Sequence, residues 1–122
     1  MASDRYITAL EMFDRGEYFA CHELLEEIWR ETPSGEDRTY LQALIQVAVA
    51  LYHHQQGNQK GANGVYQRAR ARLLTLPRRM RGLALPELID ALDHHFREGG
   101  GAPLPQLVWI EQIEELDAGT VS

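Results

Sequence analysis

Residues 37–56 place Leu41, Leu44, Ile45, Val47, Ala48, Val49, Leu51 and Tyr52 around most of the circumference of one helix, at about 100° per residue. A helix that is apolar nearly all round must be buried, so this segment predicts a central helix wrapped by others. The remaining periodic segments supply the wrapping. A first helix follows a Ser3/Asp4 cap, carries Tyr6, Ile7, Leu10 and Phe13 on one side and stops at Gly16. A second runs from about Tyr18 to Glu31, and Pro33-Ser34-Gly35 makes a turn short enough to require an antiparallel return. Gly57-Asn58 ends the central helix and caps a fourth, with Ala62, Val65, Tyr66, Ala69, Leu73 and Leu76 at three- and four-residue steps before Pro77. Pro86 starts a fifth whose inner stripe is Leu88, Leu92 and Phe96.

No stretch alternates long enough to predict a strand. The expectation is an all-α, single-domain bundle of five helices over residues 1–98. Gly99-Gly100-Gly101 then opens a Gly/Pro linker and a C-terminal tail, 99–122, that docks on the bundle or on a partner subunit. The tail holds Trp109, Ile110, Ile113 and Leu116, too much apolar surface to leave in water. Docking on the chain's own bundle and a homodimer built through the tail both remain open.

The longest apolar run, Val47 to Tyr52, is far shorter than the roughly 20 residues that span a bilayer, so no membrane partner is expected. A single cysteine excludes an internal disulfide, and the N-terminus lacks a basic-then-apolar leader pattern, so the expected compartment is the cytoplasm. The net charge of −6 disfavours nucleic acid as a partner, because phosphate-dominated binding wants cations.

Two ionisable groups stand out on the second helix. On a helical wheel Tyr18, Phe19, Cys21, Leu25 and Trp29 form one broad arc, and His22 and Glu26 fall inside it. Buried, they need partners. The central helix offers some: Gln42, Gln46 and His53 cluster within about 40° on an otherwise apolar cylinder. In a tight antiparallel hairpin Glu26 should lie level with Gln42 and His22 with Gln46, while His53 sits nearer Gly16. The expectation is a polar network in which His22 and Glu26 contact the two glutamines.

These residues resemble a known family, the small bacterial and archaeal proteins catalogued as domain of unknown function 309. The resemblance rests on Phe13-Asp14-Arg15-Gly16-Glu17-Tyr18-Phe19, on His22-x3-Glu26-x2-Trp29, on Leu41-Gln42-Ala43-Leu44-Ile45-Gln46, and on His53 with Gly57-Asn58 and Gly61-Ala62. It covers residues 6 to 76. It implies an all-helical bundle around a buried central helix and a His-x3-Glu-x2-Trp motif associated with metal binding, with no established activity. The chain departs from the family at Ala20, where the resemblance implies an acidic residue in many relatives, and at Ala43, where glycine is usual.

Residues at i and i+4 share a helix face, so His22 and Glu26 could give two ligands to a divalent metal. A third would have to come from Asp14, Glu17, His53 or His54, since Gln42 and Gln46 offer only neutral oxygens. A structural network in which Glu26 orients His22 is the simpler reading. Cys21 and His22 are adjacent on a helix and point about 100° apart, so they make no catalytic dyad; the pairs His53-His54 and His94-His95 fail as chelates for the same reason.

A second signal is the run Arg68, Arg70, Arg72, Arg78, Arg79 and Arg81, half of the 12 Lys and Arg residues, in a segment without an acid. Arg68, Arg72, Arg78 and Arg79 in particular suggest docking of an acidic protein partner or a phosphate-bearing ligand; a solvated helix end that complements the C-terminal dipole is the alternative. No nucleophile motif or phosphate loop is visible. Two function classes follow: a non-catalytic binding or self-association module, and a metal or small-molecule site, hydrolytic in its enzymatic form, around His22 and Glu26.

Overall fold

The computed structural model describes residues 4–99 together with 103, 104, 106 and 107. Within them lie five helices, α1 (Asp4–Asp14), α2 (Tyr18–Arg30), α3 (Glu36–Gln55), α4 (Gln59–Leu73) and α5 (Leu85–Arg97), and a short antiparallel pair, β1 (Arg79–Met80) and β2 (Leu83–Ala84). The fold class is all-α. None of these helices is long and apolar enough to cross a membrane. Trp109, Ile110, Ile113 and Leu116 lie outside the described residues.

The helix ends follow local chemistry. At Gly16, φ of +79° lets Gly16 N–H bond Phe13 O and Glu17 N–H bond Met12 O, closing the last carbonyls of α1. The α3 terminus repeats the pattern at Gly57. Asn58 caps α4, its Oδ1 accepting from Gly61 N at 2.9 Å.

As the periodicity predicts, α3 is central: it packs most extensively against α4 and then α2. Its buried residues are Tyr40, Leu41, Ala43, Leu44, Val47, Ala48, Ala50 and Leu51, whereas Ile45, Val49 and Tyr52 are only partly buried. The burial centre is thus rotated toward Tyr40, Ala43 and Ala50, where small side chains let neighbouring helices approach.

The hairpin departs from the sequence expectation. Strands of two residues carry no alternation to detect. Its turn is a type I′ pair, Arg81 (φ +47°) and Gly82 (φ +89°), the geometry that matches the twist of a tight hairpin. Arg81 is held in this unfavourable conformation from below. Its guanidinium lies 4.2 Å over the Tyr6 ring, and its carbonyl accepts from the Tyr6 hydroxyl at 3.1 Å. With Tyr6 donating there, the Tyr40 hydroxyl is the donor in the buried 2.6 Å contact between the two phenols. Three elements distant in sequence are fastened at this end of the bundle.

Candidate functional site

On α2 the buried face is centred on Cys21, Leu25 and Ile28; Cys21 and Leu25 belong to the expected arc, but its centre is shifted by roughly 55°, toward Ile28 and away from Phe19. Phe19 is half exposed, and His22 and Glu26 retain 18% and 36% of their side-chain exposure. They therefore sit at the rim of the buried face, outside a sealed core. His22 Nδ1 bonds the Phe19 carbonyl, and Nε2 stands 3.8 Å from Glu26 Oε1. The closer partner of Glu26 is Arg30, at 3.0 Å.

The expected meeting of this pair with Gln42 and Gln46 is not what the structure contains. Gln46 Oε1 accepts from Arg72 Nε at 3.1 Å, so this glutamine turns to α4 instead of α2. Gln42 is part-buried on α3. His53 stacks obliquely on Tyr52, whose ring also meets Phe19, giving an aromatic cluster with His22 at the α2–α3 surface. Near it, Gln55 Nε2 donates to Gly16 O at 3.0 Å and ties the α1–α2 corner to the end of α3.

Trp29 serves the α2 terminus. Arg38 lies 3.9 Å over its ring and donates through Nη1 to the carbonyls of Trp29 and Thr32, capping the helix end from α3. The indole Nε1 is buried with no acceptor among the described residues.

The groups named as third metal ligands are dispersed. Glu17 pairs with Arg15 at 2.9 Å, Asp14 accepts from the Leu107 backbone N–H, and His54 faces His95 at 5.7 Å between ring centres. Among the described residues no three His, Cys, Asp or Glu side chains converge as metal ligands. Burial, reinforced by the Asp14 charge, pushes the Cys21 thiol up to about 12, which leaves almost no thiolate at neutral pH.

The arginine segment divides as the sequence could not show. Arg70 forks onto Asp93 of α5 at 2.9 to 3.2 Å, and the Tyr66 hydroxyl donates to the same carboxylate at 2.6 Å. Although burial pushes the Asp93 carboxyl up, its bonds to Arg70 and Tyr66 and the nearby guanidinium charges hold it below the ordinary value. Tyr66, stacked on Phe96 at 4.6 Å, has its phenol pushed strongly upward by burial and by Asp93. Arg72 is taken by Gln46 and Arg81 by Tyr6, while Arg68 and Arg78 are exposed. This α4–α5 latch was missed in sequence, although a tyrosine on an apolar helix face with an arginine one turn later signals a buried acceptor.

Beyond the latch the two helices diverge around a groove of about 360 Å³. Its floor is Leu73, Leu76, Leu85, Pro86 and Ile89, and its rim is Arg70, Leu74, Pro77, Arg78 and Asp90. Leu74 is 60% exposed.

Comparison with known proteins places most of the first four helices. Residues 6–65 match the family model described as domain of unknown function, DUF309. Over that span the chain belongs to the DUF309 family. The DUF309 match takes in α1 to α3, with His22, Glu26, Trp29, Gln42, Gln46 and His53, and ends inside α4, before the groove. One similar protein is the uncharacterized protein YpuF of Bacillus subtilis, 52% identical over 46 residues, which is 38% of this chain and 26% of that protein. Another is an uncharacterized protein of Aquifex aeolicus, 29% identical over 76 residues, 62% of this chain and 23% of that protein. The chain thus matches about a quarter of the length of each relative. No solved structure matches it.

Proposed function

We propose that this chain is a non-catalytic helical binding module, and that its α4–α5 groove seats an amphipathic, acidic helix. The observation that carries this reading is a largely apolar concave surface edged by an exposed leucine, Leu74, and an exposed arginine, Arg78. Leu74 would enter the partner's apolar stripe, and Arg78 would meet its acids. Asp90 on the opposite rim would repel them and fix the orientation. Cys21 is buried and its thiol pushed up to about 12, and Arg70, Asp93 and Tyr66 satisfy one another.

The test is fluorescence anisotropy of a labelled helical peptide of Leu, Trp and Glu, titrated with the full chain. Saturable binding that is lost in Leu74→Glu and absent for a scrambled peptide is expected. Binding unaffected by Leu74→Glu, or no binding, would overturn the reading.

One observation favours a second reading, a divalent-cation site: His22 and Glu26 both reach solvent and stand 3.8 Å apart on consecutive turns. They offer two ligands, so the remaining positions would go to water or a bound molecule. Metal analysis of purified protein, repeated on His22→Ala, tests it; metal retained by the variant or absent from both proteins removes this reading.

A further inference from the structure

Resting on the groove reading, we infer that the occupant of the groove is the segment 108–122 of a second copy of this chain, exchanged reciprocally in a homodimer. The segment has the required chemistry. Trp109, Ile113 and Leu116 fall within about 60° on a helical wheel, and Glu111, Glu114 and Glu115 lie on the other side. With Asp117 the segment carries four acids and no Lys, Arg or His. The acid-free stretch from Gly61 to Pro86 contains the groove's exposed Arg78, so the chain holds an apolar groove with a cation at its edge and an apolar, acidic segment to match it.

Reach decides between the same chain and a neighbour. Leu107 is buried, and its backbone N–H is held by Asp14 at the C-terminal end of α1. The groove's mouth is joined by the hairpin to Tyr6, in the first turn of α1. Leu85 N bonds Arg78 O at 2.8 Å at its mouth, and the turn between them places Arg81 on Tyr6. Tyr6 and Asp14 are separated by eight helical positions, about 12 Å. Trp109, two residues beyond Leu107, reaches at most about 7 Å. While Leu107 is seated, the Trp109 backbone stays short of the hairpin end of its own chain. A second copy removes that restriction, and two-fold symmetry makes each contact twice.

The experiment uses two full-length variants. Leu74→Glu spoils the groove at an exposed position and leaves the tail; Trp109→Glu spoils the tail and leaves the groove. Light scattering should give a dimer for the unaltered chain and a dissociation constant at least about tenfold weaker for each variant alone, the shift equivalent to 1.4 kcal/mol. An equimolar mixture should recover a dimer through its one intact contact, read by energy transfer between differently labelled variants. A monomeric unaltered chain, or a dimer indifferent to both substitutions, overturns the inference. The groove reading fails separately: if the Leu/Trp/Glu peptide binds and is blocked by Leu74→Glu while a peptide of residues 108–122 does not bind, only the occupant is wrong. If neither peptide binds, both fall.

Discussion

The two sides of α4 are built on opposite principles. Toward α3 it joins the most extensive helix contact in the molecule, with Ala62 and Ala69 fully buried, and α3 carries the buried Ala43 and Ala50 on the same side as Gln46, which meets Arg72 of α4. Small side chains let backbones approach, and the seam closes by apolar packing. Toward α5 contact is sparse. There the helices are joined by Tyr66, Arg70 and Asp93 and then part around the groove. A closed seam contributes stability; an open one with a polar latch leaves surface for a partner.

Neighbouring residues test this contrast most directly. Leu73 is 1% exposed and Leu74 is 60% exposed, though they are consecutive. Leu73→Ala should lower unfolding stability by about 3 kcal/mol, as buried leucine deletions do. Leu74→Ala should leave it within about 0.5 kcal/mol, the range of an unremarkable surface change. Paired urea titrations measure both. Equal costs would mean that the groove is a closed part of the core.

The latch stands next. Asp93→Asn leaves one oxygen to accept from Tyr66 but replaces the second, which accepts from Arg70, by an NH2 donor and removes the charge, so the melting temperature should fall at neutral pH. The pH dependence sharpens this. The folded carboxyl titrates below its ordinary value of 3.8, so its contribution is complete above that value and is lost as pH falls through the folded one. The gap in melting temperature between the unaltered chain and Asp93→Asn should therefore narrow only below about pH 4. A gap constant down to pH 2 would mean that the charge of Asp93 plays no part in holding α5.

Much of this fold was legible because its signals are local. Gly16, Gly57, Asn58 and Pro86 end or begin helices through their own backbone chemistry, and the apolar run of α3 implies burial whatever surrounds it. The candidate site was less legible because a wheel shows which side of a helix is apolar without showing which neighbour covers each degree of it. Gln46 was matched in register to α2, but α3 is flanked on both sides and the glutamine meets Arg72 of α4. On α2, Tyr18 and Phe19 drew the expected arc toward the aromatics, while Ile28, left out of it, marks where the core lies. The Tyr6–Tyr40–Arg81 fastening depends on a turn of two residues 75 positions from Tyr6, beyond any periodic signal.

The smallest effect belongs to the residue that the sequence made most prominent. Buried against two glutamines, His22 would cost about 1–3 kcal/mol on removal, because its partners would be left unsatisfied. At the rim of α2 the arithmetic differs. Glu26 keeps its 3.0 Å bond to Arg30, and the Phe19 carbonyl that His22 touches belongs to the first turn of the helix, at an exposed residue that water can reach. His22→Ala should then cost about 0.5 kcal/mol, within the range of surface substitutions. A thermal melt of the variant decides it. A loss of 2 kcal/mol or more would restore the buried network and tilt α2 toward the glutamines of α3. A small loss frees His22 from a structural role and leaves its place beside Glu26, Phe19 and Tyr52 to be explained by what it contacts from outside.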